Sequence, residues 1–572
     1  MRVFLIFLAF IVSQNNIFSQ KKKKDYPEET IFVHLNSTML LSGEKLYYSL
    51  YCLDSKGEKS PYSKIAYVSL VDIEKKEKLK LKLKLNNGLG RGEARIPIGL
   101  PSGNYKIIAY TQWMKNFKDD AFFKEDITIV NPYQENQNVF VVKEKDSITS
   151  TLKEVSLKKP VLSPYFKIDI DKKKFLKREK VLIKIKKEAD KNLEGDYSIS
   201  VKKIDKLDEL GKRRINAIGF KSRIKNKTIT DNEIVFFPEL RGELISGKLL
   251  LKKDKLPVKN QKLSLSIPDK DFILEFSSTD SQGHFNFNLN KKYIGSRGFI
   301  QVLNKNNKDY DIVFENRELD LTKMKFTFNQ VKIPESYKDV ILRRSINNQI
   351  ENSYKAIHQD SIIQYKNSSL KDLPKKVFKL EDYTKFKTVK EVFIEIIEHA
   401  SIIKDSENRD VFHTESLGGY LENQPKALVI VDGVLQEDVS KIIDFKASEI
   451  DNISLIRTKT KFIFGGNAYQ GILIFETKSK KFNEEVENDF FMVQLSPTQL
   501  EKEYFKKSYL TPKSRIPDYR NQLLWNPHIK LDKSTTVLEF YTSDNSGVYE
   551  VCVEGFTKKG IPVTLKEYIM IE

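Results

Sequence analysis

Cysteine and histidine are scarce in this chain, and their positions give no sign of a metal site. The 572 residues include two cysteines and six histidines. Cys52 and Cys552 each lie in a β-patterned run, where a buried free thiol is the ordinary state. A disulfide between them in an oxidising compartment is left open. The histidines lack metal-ligand spacing, so we expect no metal site and no cofactor. They are His34, His284, His358, His399, His413 and His528.

Catalytic motifs are also missing. The chain has no Gly-x-Ser-x-Gly elbow, so the usual signature of an α/β-hydrolase nucleophile is absent. The segment Glu395–His399 is similar to an inverted zinc-protease motif, but Glu stands at its first ligand position. Cys552-Val-Glu554-Gly555 is similar to the thioester of α2-macroglobulins but lacks the glutamine whose amide would form that bond. We therefore predict that the chain is not an enzyme.

Basic residues outnumber acidic ones, giving a formal net charge of +20. The lysines are spread along every segment and alternate with apolar residues, as in Lys78–Leu85. Such alternation is typical of the solvated face of a half-buried strand. No arginine-rich helix, zinc motif or RNA-recognition signature accompanies the charge. We predict no nucleic-acid partner.

The N-terminus is a short apolar run after one basic residue, Met1–Val12. This pattern predicts a secretory signal peptide at residues 1–20, with cleavage near Ser19 or Gln20. No other stretch approaches the roughly 18 apolar residues that a spanning helix needs. We therefore expect an exported protein, periplasmic or associated with the outer membrane, with no transmembrane segment in the mature chain.

Short runs rich in Val, Ile, Phe and Tyr, separated by Gly, Asn and Asp, fill the first half of the chain. This spacing favours β-sandwiches. Within residues 26–132, Pro101–Tyr110 is followed by Thr111–Phe117, which contains Trp113. These two sequence segments resemble the macroglobulin-type (MG2) domains of exported Bacteroidetes proteins. Trp113 is interpreted as core or inter-domain packing, with a ligand-stacking role as the alternative.

A later β unit carries a different signature. Thr279-Asp-Ser-Gln-Gly283 runs into the alternating strand His284–Leu289. A tight Asp-x-x-Gly turn before an alternating strand is the chemistry of a short β connection. Residues 237–318 as a whole resemble the carboxypeptidase-regulatory-like sandwich.

The most informative segment pairs Leu428–Val434 with Phe464–Phe475. Asp432-Gly433 is a dipeptide that favours a tight hairpin turn, and Gly465-Gly466 opens a second glycine cluster. Thr388 to Glu391 forms a capping-box pattern before a helical apolar face. Together these features resemble the plug domain of TonB-dependent outer-membrane receptors.

Counting residues argues against a receptor barrel in this chain. Such a barrel needs on the order of 22 strands of roughly 10 residues each. Fewer than a hundred residues follow Lys478, and they lack sustained alternating patterning. Residues 495–572, with Leu524-Trp-Asn-Pro527, resemble a β module that closes plug-containing macroglobulin-like proteins. We expect a plug-like domain without a transporter.

The predicted fold class is therefore mainly β and multidomain, with several immunoglobulin- or macroglobulin-like β-sandwiches in series and one small α+β plug-like domain. The predicted segments are a signal peptide at 1–20, a macroglobulin-like sandwich at 26–132, a second sandwich at 160–205 that flanking strands could complete, a carboxypeptidase-regulatory-like sandwich at 237–318, a partly helical connector at 335–384, the plug-like domain at 385–480 and a C-terminal β module at 495–572.

We interpret the chain as a non-catalytic binding or scaffold protein of the cell envelope, in which sandwich spacers present the plug-like domain to a partner or ligand. The partners would be envelope proteins, an outer-membrane barrel being one candidate. One alternative is an accessory that supplies a plug-like domain in trans to an uptake barrel. Another is a macroglobulin-like protein without a thioester. The candidate partner-contact or turn residues are Asp432, Gly433, Gly465, Gly466, Asn467, Tyr469 and Trp113.

Overall fold

The prediction of a mainly β, multidomain fold is confirmed by a computed structural model. The signal peptide predicted at residues 1–20 lies outside the described residues. The structure describes residues 26–117, 121–135, 141–142, 157–188, 193–211, 214–222, 224, 228–229, 234–363, 370, 373–418, 425–485, 489–509 and 515–572.

The first sandwich joins a three-stranded and a five-stranded sheet around an aromatic core that includes Trp113. Every residue of Thr30–Leu35 is buried, so both faces of this strand are covered. The smaller sheet holds Thr30–Leu35, Lys45–Leu53 and Leu89–Arg95; the larger holds Met39–Leu41, Phe123–Val130, Gly103–Tyr110, Ile65–Val71 and Glu77–Lys84.

The second sandwich is completed by strands from the C-terminal segment. Gly195–Ile204 lies in its larger sheet between Gln522–Ile529 and Gly547–Thr557. Residues 160–205 and 495–572, expected as two units, therefore share one core. The smaller sheet holds Phe166–Ile170, Lys180–Lys187 and Thr535–Tyr541; the larger holds Lys174–Phe175, Pro562–Ile571, Gly547–Thr557, Gly195–Ile204 and Gln522–Ile529.

This arrangement also bears on the two cysteines. Cys52 lies in the first sandwich and Cys552 in the second, and both are buried. Both are free thiols, so the disulfide left open by the sequence is not formed.

The third sandwich includes one strand from much later in the chain. Phe491–Gln494 pairs with Arg297–Val302, so residues outside 237–318 complete this sheet. One sheet holds His284–Leu289, Glu243–Leu251 and Tyr310–Phe314; the other holds Ile273–Ser278, Lys262–Ile267, Arg297–Val302 and Phe491–Gln494.

A mixed five-stranded sheet with two short helices forms the fourth unit, which we call the mixed-sheet unit. The helices are α4, Val389–Glu395, and α5, Ser440–Ile443. The Thr388 hydroxyl accepts a hydrogen bond from the Glu391 amide and caps α4. The sheet holds Lys376–Lys379, Ile450–Ile456, Ile472–Thr477, Leu428–Val431 and Val434–Leu435, and two hairpins add Ala400–Lys404, Asp410–Thr414, Phe462–Phe464 and Asn467–Tyr469.

The remaining elements are short, apart from one helix of 16 residues, Lys338–Ser353. None of the helices among the described residues is long and apolar enough to cross a membrane. The other α-helices are α1, Lys206–Leu210; α2, Ala217–Lys221; α3, Lys338–Ser353; and α6, Phe482–Glu485. Two-stranded pairs join Tyr26–Pro27 to Thr228–Ile229, Val141–Val142 to Ile333–Pro334, and Ser361–Ile362 to Lys502–Glu503. The 3₁₀ helices are Trp113–Asn116, Asn307–Asp309, Leu321–Lys323, Glu335–Tyr337, Leu380–Asp382 and Ala447–Glu449.

A buried arginine fixes α3 against the first sandwich. Arg344 is 5% exposed, and its guanidinium binds both carboxylate oxygens of Glu44 at 2.7 and 2.8 Å. It also donates to Asp205, the residue that caps α1, at 2.9 Å, and to the Met39 carbonyl at 3.0 Å. Two-oxygen pairing gives directional as well as electrostatic binding. One side chain thus joins α1, α3 and the first sandwich.

A buried carboxyl lies where the first sandwich meets the third. Glu239 is 1% exposed and accepts hydrogen bonds from the Tyr67 hydroxyl at 3.1 Å and the Leu244 amide at 3.1 Å. Burial raises the pKa of Glu239 from 4.5 to about 7 because the interior disfavours the charged form. This junction therefore carries an acid that ionises near neutrality.

Replacing Arg344 with Met should lower the free energy of unfolding by roughly 3–5 kcal/mol, because Glu44 and Asp205 lose their buried partner. The neighbouring Arg343 is exposed and serves as a matched control. Arg343→Met should change stability by less than about 0.5 kcal/mol. Urea denaturation followed by tryptophan fluorescence measures both. Equal losses in the two variants would contradict the assigned role.

Glu239 also predicts a pH dependence. The pKa of Glu239 in the folded state lies above its value in the unfolded state. Its contribution to the free energy of unfolding is therefore fully present below about pH 4.5 and is lost as the pH rises through about 7. Relative to wild type, Glu239→Gln should gain roughly 1–3 kcal/mol between pH 5 and pH 8. Denaturation at both pH values measures the difference. The exposed Glu58→Gln is the control, and a Glu239→Gln curve parallel to wild type would refute the prediction.

Candidate functional site

Asp432 and Gly433 form the hairpin turn that the sequence predicted. Their φ values are 47° and 82°, the left-handed pair of a type I′ turn. The Asp432 carboxylate accepts hydrogen bonds from the Thr477 amide at 2.8 Å and hydroxyl at 2.5 Å. Asp432 thus ties its turn to the end of the neighbouring strand. A β-carbon on Gly433 would lie 3.0 Å from Cβ of Phe272 in the third sandwich.

Gly465 and Gly466 form a second turn, between Phe462–Phe464 and Asn467–Tyr469. Their φ values are 58° and 79°. A β-carbon on Gly465 would lie 2.3 Å from the ring of Phe276, which is also in the third sandwich. Lys262 Nζ donates to the Gly466 carbonyl at 2.8 Å. Both glycines therefore allow a close approach between two parts of the same chain.

Asn467 and Tyr469 follow this second turn. The Asn467 side chain exchanges hydrogen bonds with Asn304 of the third sandwich, at 3.0 Å for the shorter of the two. Tyr469 is 1% exposed, and its hydroxyl donates to Glu437 at 3.0 Å. Burial raises the pKa of the Tyr469 phenol. These two residues also serve the contact with the third sandwich and the local core.

Trp113 lies apart from the other six candidates, in the core of the first sandwich. It is 1% exposed, stacks on Tyr62 with ring centroids 5.9 Å apart, and meets Tyr26 edge-on at 5.6 Å. The structure thus places Trp113 in a packing position. The seven candidates do not form one site, and the six in the mixed-sheet unit lie at or beside its contact with the third sandwich.

A cleft of about 190 Å³ lies elsewhere, between the first sandwich, α3 and the second sandwich. Aromatic rings form much of its wall. Tyr47 stacks on Trp525 at 5.8 Å and meets Tyr504 edge-on at 5.3 Å, while His358 stacks on Phe505 at 4.9 Å. Rings fixed in this way offer flat apolar surface with little loss of conformational freedom on binding.

Polar groups complete the cleft. Lys45 bridges Asp360 at 3.0 Å, Arg95 donates to Asn352 at 2.6 Å, and Asn36 donates to Gln522 at 3.0 Å. Trp525 is 4% exposed, and its indole N–H has no hydrogen-bond acceptor among the described residues. The indole nitrogen itself is buried, so it is an unsatisfied donor beside the cleft.

The lining of the cleft combines aromatic rings with polar side chains. Among its described lining residues there is no serine, threonine or cysteine to act as a nucleophile. Its one histidine, His358, has Nε2 only 3.1 Å from Lys507 Nζ. Flat rings and side-chain amides suit recognition of a polar group with a flat face. The sequence drew attention to Leu524–Pro527, which contains Trp525, as a module signature, yet it did not indicate that Tyr47 would lie beside it.

Comparison with known proteins finds likeness only at the level of structure. No family model matches this sequence, and no curated protein matches it. Among solved structures, Escherichia coli α2-macroglobulin activated by porcine elastase aligns at 8% identity and TM-score 0.23, covering 95% of this chain and 44% of that one. Salmonella α2-macroglobulin reacted with methylamine aligns at 8% identity and TM-score 0.23, covering 96% and 40%.

The native conformation of E. coli α2-macroglobulin gives a similar result, with 8% identity, a TM-score of 0.24 and coverage of 95% of this chain and 40% of that one. This chain therefore spans less than half the length of these bacterial proteins. TM-scores this low carry no argument about activity.

Gly465→Ala should destabilise the protein by roughly 1–3 kcal/mol, because alanine is strained at positive φ and its methyl group would meet the Phe276 ring. Gly99 is the matched control, since a β-carbon there meets nothing within 4 Å. Gly99→Ala should change stability by less than about 0.5 kcal/mol. Thermal denaturation compares the two. A Gly465→Ala variant as stable as Gly99→Ala would show that the close contact is not made.

Proposed function

We propose that the chain is an exported, non-catalytic binding or scaffold protein of the cell envelope that holds a partner or ligand in the cleft beside α3. The sandwiches act as rigid spacers, and the predicted plug-like domain, residues 385–480, is held at a fixed position on the third sandwich. Absence of catalysis is part of this proposal.

The observation that carries the proposal is the chemistry of the cleft wall. Tyr47, Trp525 and Tyr504 form a continuous aromatic set, and amide and charged groups surround it. Binding sites characteristically combine apolar surface with a few placed polar groups. A site of this kind supports recognition of a partner's polar segment.

The scaffold part of the proposal rests on buried contacts between units. Arg344 ties α3 to the first sandwich, Glu239 lies at the junction with the third, and Gly465 fits against Phe276. The Arg344 and Glu239 contacts are buried and the Gly465 contact is half-buried, so separating the units would expose polar or apolar groups that lose their partners. The cleft and the mixed-sheet unit therefore keep a fixed relation.

A plug-like domain supplied in trans to an uptake barrel is less well supported. Leu428 and Ile430 share a core cluster with Phe272 and Leu303, so the chain's own third sandwich covers one face of the mixed sheet. Entering a barrel with that face would require breaking this contact. The same contact favours a mixed-sheet unit that acts while it is packed against the third sandwich.

Charge reversal in the cleft tests the proposal. Lys355 lines the cleft, whereas Lys338 lies exposed at the other end of the same helical segment. Wild type, Lys355→Glu and Lys338→Glu are each purified from the native envelope after mild detergent extraction. A stoichiometric partner should be recovered with wild type and with Lys338→Glu. Recovery with Lys355→Glu should fall by about tenfold or more, because the substitution reverses the charge that this position presents to the partner.

Two outcomes would count against this function. Recovery of the wild-type chain alone would show that it has no stable envelope partner. Equal recovery of one barrel protein with all three forms would move the contact away from the cleft and favour the plug-in-trans alternative.

A further inference from the structure

Strand Gly547–Thr557 presents two chemically distinctive side chains to the first sandwich. Successive side chains on a strand point to opposite faces, so Cys552 and Glu554 share one face. Val551 and Val553 point the other way, into the core of the second sandwich. Opposite the Cys552 face lies strand Thr30–Leu35, which contributes His34. The three side chains thus meet where two sandwiches join.

These three residues form a compact set of ligand atoms. A ring nitrogen of His34, Sγ of Cys552 and a carboxylate oxygen of Glu554 lie within 4.8 Å of one another. Exposure is 0% for His34, 2% for Cys552 and 0% for Glu554. Tetrahedral zinc with bonds of about 2.0–2.3 Å holds its ligand atoms roughly 3.5 Å apart, so the side chains would draw together by about 1 Å on binding.

Three polar atoms in this patch have no hydrogen-bond partner among the described residues. They are His34 Nε2, Glu554 Oε1 and the Thr564 hydroxyl oxygen. Thr564 lies directly opposite Glu554 on the adjacent strand, so the three belong to one region. Leaving a buried polar group without a hydrogen-bond partner is destabilising. Lone pairs on nitrogen and oxygen that lack donors are the atoms a cation would satisfy.

Hydrogen bonding around His34 sets the ring for ligation. The Ser198 hydroxyl donates to the Glu554 main-chain carbonyl at 3.2 Å. Its oxygen can therefore accept the Nδ1–H of His34, at 2.7 Å. With its proton on Nδ1, the neutral ring has its lone pair on Nε2. A ring that donates from one nitrogen and is free at the other is the usual arrangement of a metal-ligating histidine.

Nearby charges leave one oxygen of Glu554 free. Arg214 donates to Oε2 of Glu554 at 2.5 Å and lies 3.7 Å from Cys552 Sγ, while Oε1 is unused. Lys566 pairs with Glu550 at 2.9 Å. The two cations are thus balanced by two carboxylates, and a dication bound with one thiolate would add one net positive charge. Glu554 would bridge Arg214 and the ion.

Cys552 would have to ionise on binding. Cys552 is a buried free cysteine, so without an ion it is a protonated thiol. A coordinated thiol is deprotonated by the metal, and its proton is released to solvent. One thiolate, one imidazole and one carboxylate form a donor set that zinc accepts in tetrahedral sites. Thr564 or a water would supply the fourth position.

We propose that His34, Cys552 and Glu554 form a buried zinc site that joins the first sandwich to the second. The site is structural, because its ligands come from two sandwiches and it is closed to solvent. This inference does not depend on the proposed binding function.

Metal binding by the full-length chain tests the proposal. The protein is stripped with a chelator and titrated with Zn²⁺ against a chromophoric chelator, and with Co²⁺ to detect a thiolate-to-cobalt charge-transfer band. One equivalent should bind, and Zn²⁺ should raise the midpoint of thermal unfolding because it binds the folded state. Absence of a bound equivalent and of the charge-transfer band in wild type would overturn the proposal, whatever the variants do.

Matched cysteine variants locate the site. Cys552→Ser should abolish the charge-transfer band and weaken zinc binding by more than about 100-fold, and Ser198→Ala should weaken it by about 10–100-fold through loss of the support to His34. Cys52→Ser removes the other buried thiol and should leave binding unchanged. Equal binding by the two cysteine variants, or loss in both, would place the ion elsewhere and overturn the assignment.

Discussion

The pairing of Gly195–Ile204 with Gly547–Thr557 is the contact on which the rest of the structure depends. It runs without a break from Gly195 opposite Thr557 to Ile204 opposite Val548. It brings the C-terminal strands against the first sandwich, where the Tyr51 hydroxyl reaches the Glu554 carbonyl 503 positions away. The entropic cost of closing so long a loop grows only slowly with its length, so two paired strands that are buried over most of their length can offset it.

Features that depend on neighbouring residues could be predicted from the sequence. Asp432-Gly433 forms its hairpin turn because both positions require left-handed backbone. Thr388 caps α4, and Lys180–Lys187 alternates between buried and exposed side chains along its length. In each case the determining contacts lie within four residues or within one strand, so the local pattern contains the information. The mainly β class followed from many such signals acting together.

Partner choice between distant strands could not be predicted in the same way. Alternation shows which face of a strand is buried but not which strand lies beside it, so residues 160–205 and 495–572 read as separate units. The same limit hid the contact of Tyr47 with Trp525. Spacing along the chain also gave no sign that His34 and Cys552 would lie together, because residues contributed by two sandwiches have no characteristic spacing.

The segment Leu428–Val434, which resembles a plug domain in sequence, shows that a local pattern can predict a contact without identifying its partner. Leu428–Val431 is apolar at every position, and a strand of that kind must be covered on both faces. Val429 and Val431 pack with the helices, whereas Leu428 and Ile430 pack with Phe272 of the third sandwich. The sequence therefore required a second covering surface, and this chain supplies it internally. Turn residues that allow close approach, such as Gly465 beside Phe276, then serve that internal contact.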